Sequence, residues 1–132
     1  MIGFINGCFD ILHVGHLEMF KECSKMVDVL VVAIDSDSRI QLNKGDDRPY
    51  NTLLDRKKML MSLESIDVVF SFDSDSELSN LVKCLQPDIM MVGEEYKEKN
   101  VIGSQYAKDV KYFRRIDGYS TTKILQNSSS RR

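Results

Sequence analysis

The sequence predicts an α/β fold, a single three-layer αβα domain built on a five-stranded parallel sheet. Three observations carry this. Short apolar runs alternate with helix-period segments from one end of the chain to the other. The connections between them are short, as in strand–helix–strand units. Several apolar runs occupy consecutive positions, the pattern of strands covered on both faces. A chain of 132 residues suits one such domain, and its core buries roughly two-thirds of the unfolded surface.

Taken in order, residues 2–6 read as the first strand. Leu17, Phe20 and Met26, with Cys23 between them, form one apolar stripe and make 16–26 the first helix. Residues 29–34 are the second strand. Thr52-Leu53-Leu54-Asp55 is a capping box with Asp where Glu is usual, and it opens a helix to about Leu63. The third strand is 68–72. Ser74-Asp75-Ser76-Glu77 is a regular capping box for a helix to about Leu85, and Pro87 stops it. Residues 89–92 and 110–113 complete the sheet, and Ser120 caps a last short helix over 121–126. The domain is therefore placed at 1–126. The serines and two arginines of 127–132 have nothing apolar to dock and are expected to be a disordered tail. The stretch 43–51 is the most linker-like, but it is short and charged, which suits a functional loop. In a Rossmann-like fold ligands bind beyond the carboxyl ends of the strands. The segments to inspect are those after strands one, two, four and five.

Composition narrows the function classes. A net charge of −2 offers no basic surface for nucleic acid. No apolar run approaches the roughly 18 residues of a membrane span, and the first residues lack the basic and apolar regions of a secretory signal. Cys8, Cys23 and Cys84 are odd in number and lack metal-like spacing, so reduced thiols and a cytoplasmic location are expected.

Both histidines, His13 and His16, flank Gly15 where the first strand hands over to the first helix. A helix N-terminus presents unpaired N–H groups and a positive dipole end to phosphate. Gly7 lets backbone approach a ligand, and two imidazoles beside such a site can donate to phosphate oxygens as charge develops. Half of a metal site, or a pair of structural histidines, are the other readings of the same residues. No third His or suitably spaced Cys supports the former. The G-x-G-x-x-G of dehydrogenase-type dinucleotide sites is absent.

Gly7-Cys8-Phe9-Asp10 followed by His13-Val14-Gly15-His16 resembles the G-x-F-D-x-x-H-x-G-H signature of the cytidylyltransferase-like nucleotidyltransferases. A second string, Arg115-Ile116-Asp117-Gly118-Tyr119-Ser120-Thr121-Thr122-Lys123-Ile124, brings a guanidinium, a glycine and hydroxyls to a helix N-terminus. Alone it is also the pattern of an ordinary capped helix. It is similar to the R-x-x-G-x-S-T-T-x-I signature of the same superfamily, in the same order along the chain.

The resemblance implies that His13, His16, Lys44 and Arg115 are catalytic. It implies nucleotide contacts from Gly7, Cys8, Phe9, Asp10, Gly15, Gly93, Glu94, Gly118, Ser120 and Thr121, and acceptor contacts from Arg56 and Asp37. Lys44, in a glycine-containing charged loop, would swing over a bound triphosphate, although a solvated loop reads the same way. Arg56 likewise reads as a surface helix arginine, and Asp10 as a residue that orients the first loop. Mg2+ is expected to be held mainly by the NTP phosphates, with no protein ligand assigned. Members of the family are commonly homodimers.

The substrates point two ways. The last motif is closest to glycerol-3-phosphate cytidylyltransferases, which use CTP. Lys44-Gly45-Asp46-Asp47-Arg48-Pro49, Asp55-Arg56, 64–69 and Val101-Ile102-Gly103-Ser104 resemble the adenylyltransferases that make ADP-heptose. Those often lack the arginine that stands here as Arg115. The expectation is therefore transfer from CTP to a phosphorylated polyol or sugar, with release of pyrophosphate. The alternative is an ATP-dependent heptose 1-phosphate adenylyltransferase. A catalytically silent nucleotide-binding module is a third reading, which the retention of both phosphate clamps opposes.

Overall fold

The structure, a computed structural model, describes residues 1–114. The expected helix 121–126 and the tail lie outside the described residues. So do Arg115, Gly118, Ser120 and Thr121.

The elements run β1 (Ile2–Gly7), α1 (Val14–Ser24), β2 (Val29–Asp35), α2 (Asp37–Lys44), α3 (Leu53–Met61), β3 (Val68–Phe72), α4 (Asp75–Leu85), β4 (Ile89–Gly93) and β5 (Asp109–Phe113). The five strands form one sheet in the order β3-β2-β1-β4-β5, and every pairing is parallel. The order reverses at β1, which pairs with β2 on one side and β4 on the other.

Alternation along the central strands divides the core into two faces. Ile5, Leu30, Val32 and Ile34 pack with Phe20 and Cys23 of α1 and Leu60 of α3. Phe4, Val31, Ala33, Met90 and Val92 pack with Leu78 and Val82 of α4. The period-2 side-chain alternation of a strand accounts for this split, and a sheet buried on both faces accounts for the near-continuous apolar runs. The three-layer αβα architecture is the expected one.

The caps form as the sequence implied. Thr52 Oγ1 accepts from the Asp55 N–H at 3.3 Å, and Ser74 Oγ accepts from the Glu77 N–H at 3.1 Å. Helix α2 was not anticipated. It is almost wholly polar and buries only Ile40, so it shows no apolar period. Ser36 Oγ caps it by accepting from the Arg39 N–H at 3.2 Å. Gly45 ends it at φ 107°, a backbone conformation suited to glycine. Lys44 is thus the last residue of a helix and not part of a free loop. Among the described residues, no helix is long and apolar enough to cross a membrane. The three cysteines are free.

Candidate active site

Strand β1 ends at Gly7, and α1 starts at Val14 with His13 as its N-cap. The intervening loop leaves the sheet at the point where strand order reverses, the usual ligand crevice of an open α/β sheet. Phe9 turns back under this loop at φ 48°. Its ring meets the His16 ring edge-on at 5.1 Å and the Phe20 ring at 5.0 Å. A Cβ on residue 7 would come within 3.0 Å of the Phe9 ring, so the glycine is what lets that ring close the loop.

The His13 and His16 rings stack with centroids 3.7 Å apart. The His13 backbone N–H donates to His16 Nδ1 at 3.3 Å. With Nδ1 accepting, neutral His16 carries its proton on Nε2. Burial, then the neighbouring His13 charge, lowers its pKa to about 4. At neutral pH His16 is therefore an uncharged donor at the head of α1.

Asp10 is buried beneath the same loop, 1% exposed. Its carboxylate accepts from Arg48 Nε at 3.0 Å, from the Tyr50 N–H at 2.9 Å and from the Asn51 N–H at 2.8 Å. Burial alone would raise its pKa. The two backbone donors and the Arg48 guanidinium outweigh burial, and the net shift is downward. Asn51 Nδ2 returns a hydrogen bond to the Asp10 carbonyl at 2.5 Å. Asp10 thus pins the 48–51 segment onto the first loop.

Arg56, expected at the acceptor, is not the surface helix arginine of the alternative reading. Its side chain is wholly buried, and its guanidinium is spent on the protein itself. It donates to the carbonyls of Asn51 (3.1 Å), Cys8 (3.0 Å) and Asp35 (2.7 Å), and to the Asp37 carboxylate (2.7 Å). Asp37, expected beside the acceptor, is engaged by this arginine and does not line the cleft described next.

Around the first loop lies a cleft of about 550 Å³. Gly7, Cys8, Phe9, Asp10, His13, Gly15, His16, Lys44 and Gly93 all line it. Glu94 is exposed, opens a 3-10 turn after β4 and is not among the lining residues. Asp35, Arg39 and Arg48, to which the sequence reading gave no role, also face the cleft, as does Tyr96 after Gly93. Arg39 Nε donates to Asp35 at 3.0 Å, its Nη2 to Asp75 at 2.5 Å, and its guanidinium lies 5.2 Å over the Phe72 ring. Burial, then the nearby Asp35 carboxylate, pushes the Cys8 thiol up, so it stays protonated at neutral pH. Among the described residues no three His, Cys, Asp or Glu side chains cluster as metal ligands. Asp10 and Asp35 are both committed to arginines.

A family model described as cytidylyltransferase-like matches residues 4–127. The chain belongs to the cytidylyltransferase-like family, a nucleotidyltransferase fold. It is 47% identical over 122 residues to the bifunctional protein HldE of Campylobacter fetus, covering 92% of this chain and 26% of that one. It is 43% identical over 129 residues to the HldE of a Nitratiruptor species, covering 98% and 28%. The chain thus spans about a quarter of the length of these curated relatives. Among solved structures it is similar to a lipopolysaccharide core biosynthesis protein from Thermoplasma volcanium. That match has a TM-score of 0.68 and 26% identity, and covers 91% of this chain and 98% of that one. A pantoate-beta-alanine ligase from Francisella tularensis shares the fold at a TM-score of 0.66 and 18% identity, covering 96% and 64%.

Proposed function

We propose that this chain transfers AMP from ATP to the phosphate of a phosphorylated sugar of the heptose 1-phosphate kind, releasing pyrophosphate. The observation that carries nucleotidyl transfer is the paired His13 and His16 at the head of α1, stacked in a cleft that also holds Lys44 and two arginines. The choice of ATP over CTP rests on the HldE relatives and on the resemblance of the middle segment to ADP-heptose-forming enzymes. The earlier preference for CTP rested on Arg115, which lies outside the described residues.

The acceptor's phosphate oxygen is already ionised at neutral pH, so it needs no base. It attacks the α-phosphorus of ATP in line with the bond to the bridging oxygen. As the new P–O bond forms, the old one breaks, and its electron pair leaves with pyrophosphate. The protein's contribution is positioning and charge stabilisation. His16 Nε2–H, with His13 beside it, donates to the α-phosphate and bridging oxygen. Lys44 serves the β- and γ-phosphates, joined by Arg115, Ser120 and Thr121. Gly15 and Gly93 bring backbone to the cleft for the nucleotide, while Gly7 makes room for the Phe9 ring beneath it. Mg2+ bound to the triphosphate would supply charge neutralisation at the leaving group, with no ligand from the described residues assigned to it.

The test is a cross-screen of ATP and CTP, each with heptose 1-phosphate and glycerol 3-phosphate, reading pyrophosphate. Turnover is expected with ATP and heptose 1-phosphate. Turnover confined to CTP with glycerol 3-phosphate would overturn the substrate assignment, and silence in every combination would overturn the enzyme.

A further inference from the structure

Three cationic side chains of the described residues line the cleft, and they differ in what they have left to give. Arg39 is neutralised by two carboxylates, Asp35 and Asp75. Lys44 sits exposed at the end of α2. Arg48 is mostly buried, its side chain 12% exposed, and only its Nε is held, by Asp10 at 3.0 Å. Its guanidinium lies 5.2 Å over the Tyr50 ring. Its Nη2 is buried with no hydrogen-bond partner among the described residues.

Native structures rarely leave a buried donor unmatched, and an exception beside a cleft points to an acceptor that a ligand brings. The anchoring is directional. Asp10 Oδ1 is taken by the Asn51 N–H, and Oδ2 by Arg48 Nε and the Tyr50 N–H. Three donors thus hold the carboxylate, and it fixes the guanidinium through Nε. What remains is a permanently charged, planar donor group of the shape that matches phosphate oxygens.

We propose that Arg48 is a phosphate-binding residue of this cleft, and that Asp10 is the positioning residue that sets its guanidinium for a phosphate oxygen. The inference rests on the nucleotidyl-transfer reading and gives a role to a residue for which the sequence reading had none. A phosphate oxygen here has two sources, the triphosphate of the nucleotide and the phosphomonoester of the acceptor.

The test compares the wild-type chain with Arg48→Gln and Arg48→Lys. Calorimetric Kd values are measured for α,β-methylene-ATP with Mg2+ and, separately, for heptose 1-phosphate. Arg48→Gln is expected to weaken one of the two by at least about tenfold, or about 1.4 kcal/mol. The ligand that loses affinity identifies the source of the phosphate. Arg48→Lys, which keeps the charge and loses the fork, should fall between. An Arg48 with a merely structural role would lower Tm and leave both Kd values of the folded variant within twofold of wild type, and that result overturns the proposal. If wild type binds and turns over substrate while Arg48→Gln behaves identically, this inference alone fails. If wild type binds neither probe and releases no pyrophosphate, the nucleotidyl-transfer reading fails first and this one with it. Should Arg48→Gln not fold, arginine side-chain NMR of the wild-type chain titrated with inorganic pyrophosphate and with heptose 1-phosphate decides. Shifted Arg48 guanidinium signals support the proposal, and signals unmoved by either anion overturn it.

Discussion

Replacing Arg56 by Met keeps the length and apolar stem of the side chain and removes every donor. The carbonyls of Cys8, Asp35 and Asn51 then lose the guanidinium that satisfies them. The Asp35 contact is buried and the other two are partly buried; an unmet buried acceptor costs roughly 1–3 kcal/mol. The lost pair with Asp37 adds little, because that carboxylate is 46% exposed. Removing a buried charge offsets part of the loss. Taking the low end for each carbonyl, the expected destabilisation is about 3 kcal/mol, a large share of an ordinary stability of about 5–15 kcal/mol. With a urea m-value near ~2 kcal/mol/M, the unfolding midpoint should fall by about 1.5 M. Arg56→Lys should fare little better, since a single ammonium cannot reach all three carbonyls. A midpoint within about 0.3 M of wild type for Arg56→Met, beyond the error of such fits, refutes the clamp. So does an Arg56→Lys variant that keeps its stability and only raises KM for the acceptor, the behaviour of a ligand contact.

Four further outcomes follow from the same geometry. The pKa of His16 is lowered from 6.5 to about 4, so between those values the unfolded chain holds a proton the native chain lacks. Stability should therefore rise with pH across that window, by up to ~1.4 kcal/mol per pH unit from this group, and His16→Gln should flatten the rise in urea titrations. His16→Ala should lower kcat by at least about 10²-fold, the size of losing one preorganised donor, and an unchanged kcat removes it from the chemistry. Lys44 is exposed, so Lys44→Ala should leave stability within about 0.5 kcal/mol while the assay shows weaker nucleotide use. Gly103 sits at φ 83°, and an added Cβ would lie 2.8 Å from Val82 Cγ2. Gly103→Ala should cost about 1–3 kcal/mol through overpacking and left-handed strain, read as a lower Tm.

The sheet was legible because its signal is local. Strands covered on both faces write themselves as apolar runs, and the Thr52 and Ser74 caps are spelled in four residues each. The first loop was legible for the same reason, since His13, Gly15 and His16 carry their spacing with them. Helix α2 was not, because it rests on Ile40 alone and shows the chain no apolar period. The burial of Arg56 was not legible because the carbonyls it satisfies lie 5, 21 and 48 residues away. Nothing in a capping box beside a charged residue announces that the guanidinium turns inward. Arg48 was given no role of its own in a charged stretch where any residue looks solvated, and the contact with Asp10, 38 positions earlier, is what sets it apart.

Asp10 and Arg56 answer one problem with opposite charges. The segment 48–51 and the loop after β1 are irregular backbone packed together, and irregular backbone has N–H and carbonyl groups that no ladder satisfies. Asp10 takes the N–H groups of Tyr50 and Asn51, while Arg56 takes the carbonyls of Cys8, Asp35 and Asn51. An apolar pair in their place would leave both sets unmet. The two charges therefore hold the loop that carries His13 and His16 against the ends of β1 and β2 before any ligand arrives. Stabilising a transition state by fixed donors requires that they not reorganise when charge develops, and this cross-linking supplies that rigidity. On that ground Asp10→Asn, which keeps the shape and loses the charge, should reduce kcat more than it weakens nucleotide binding.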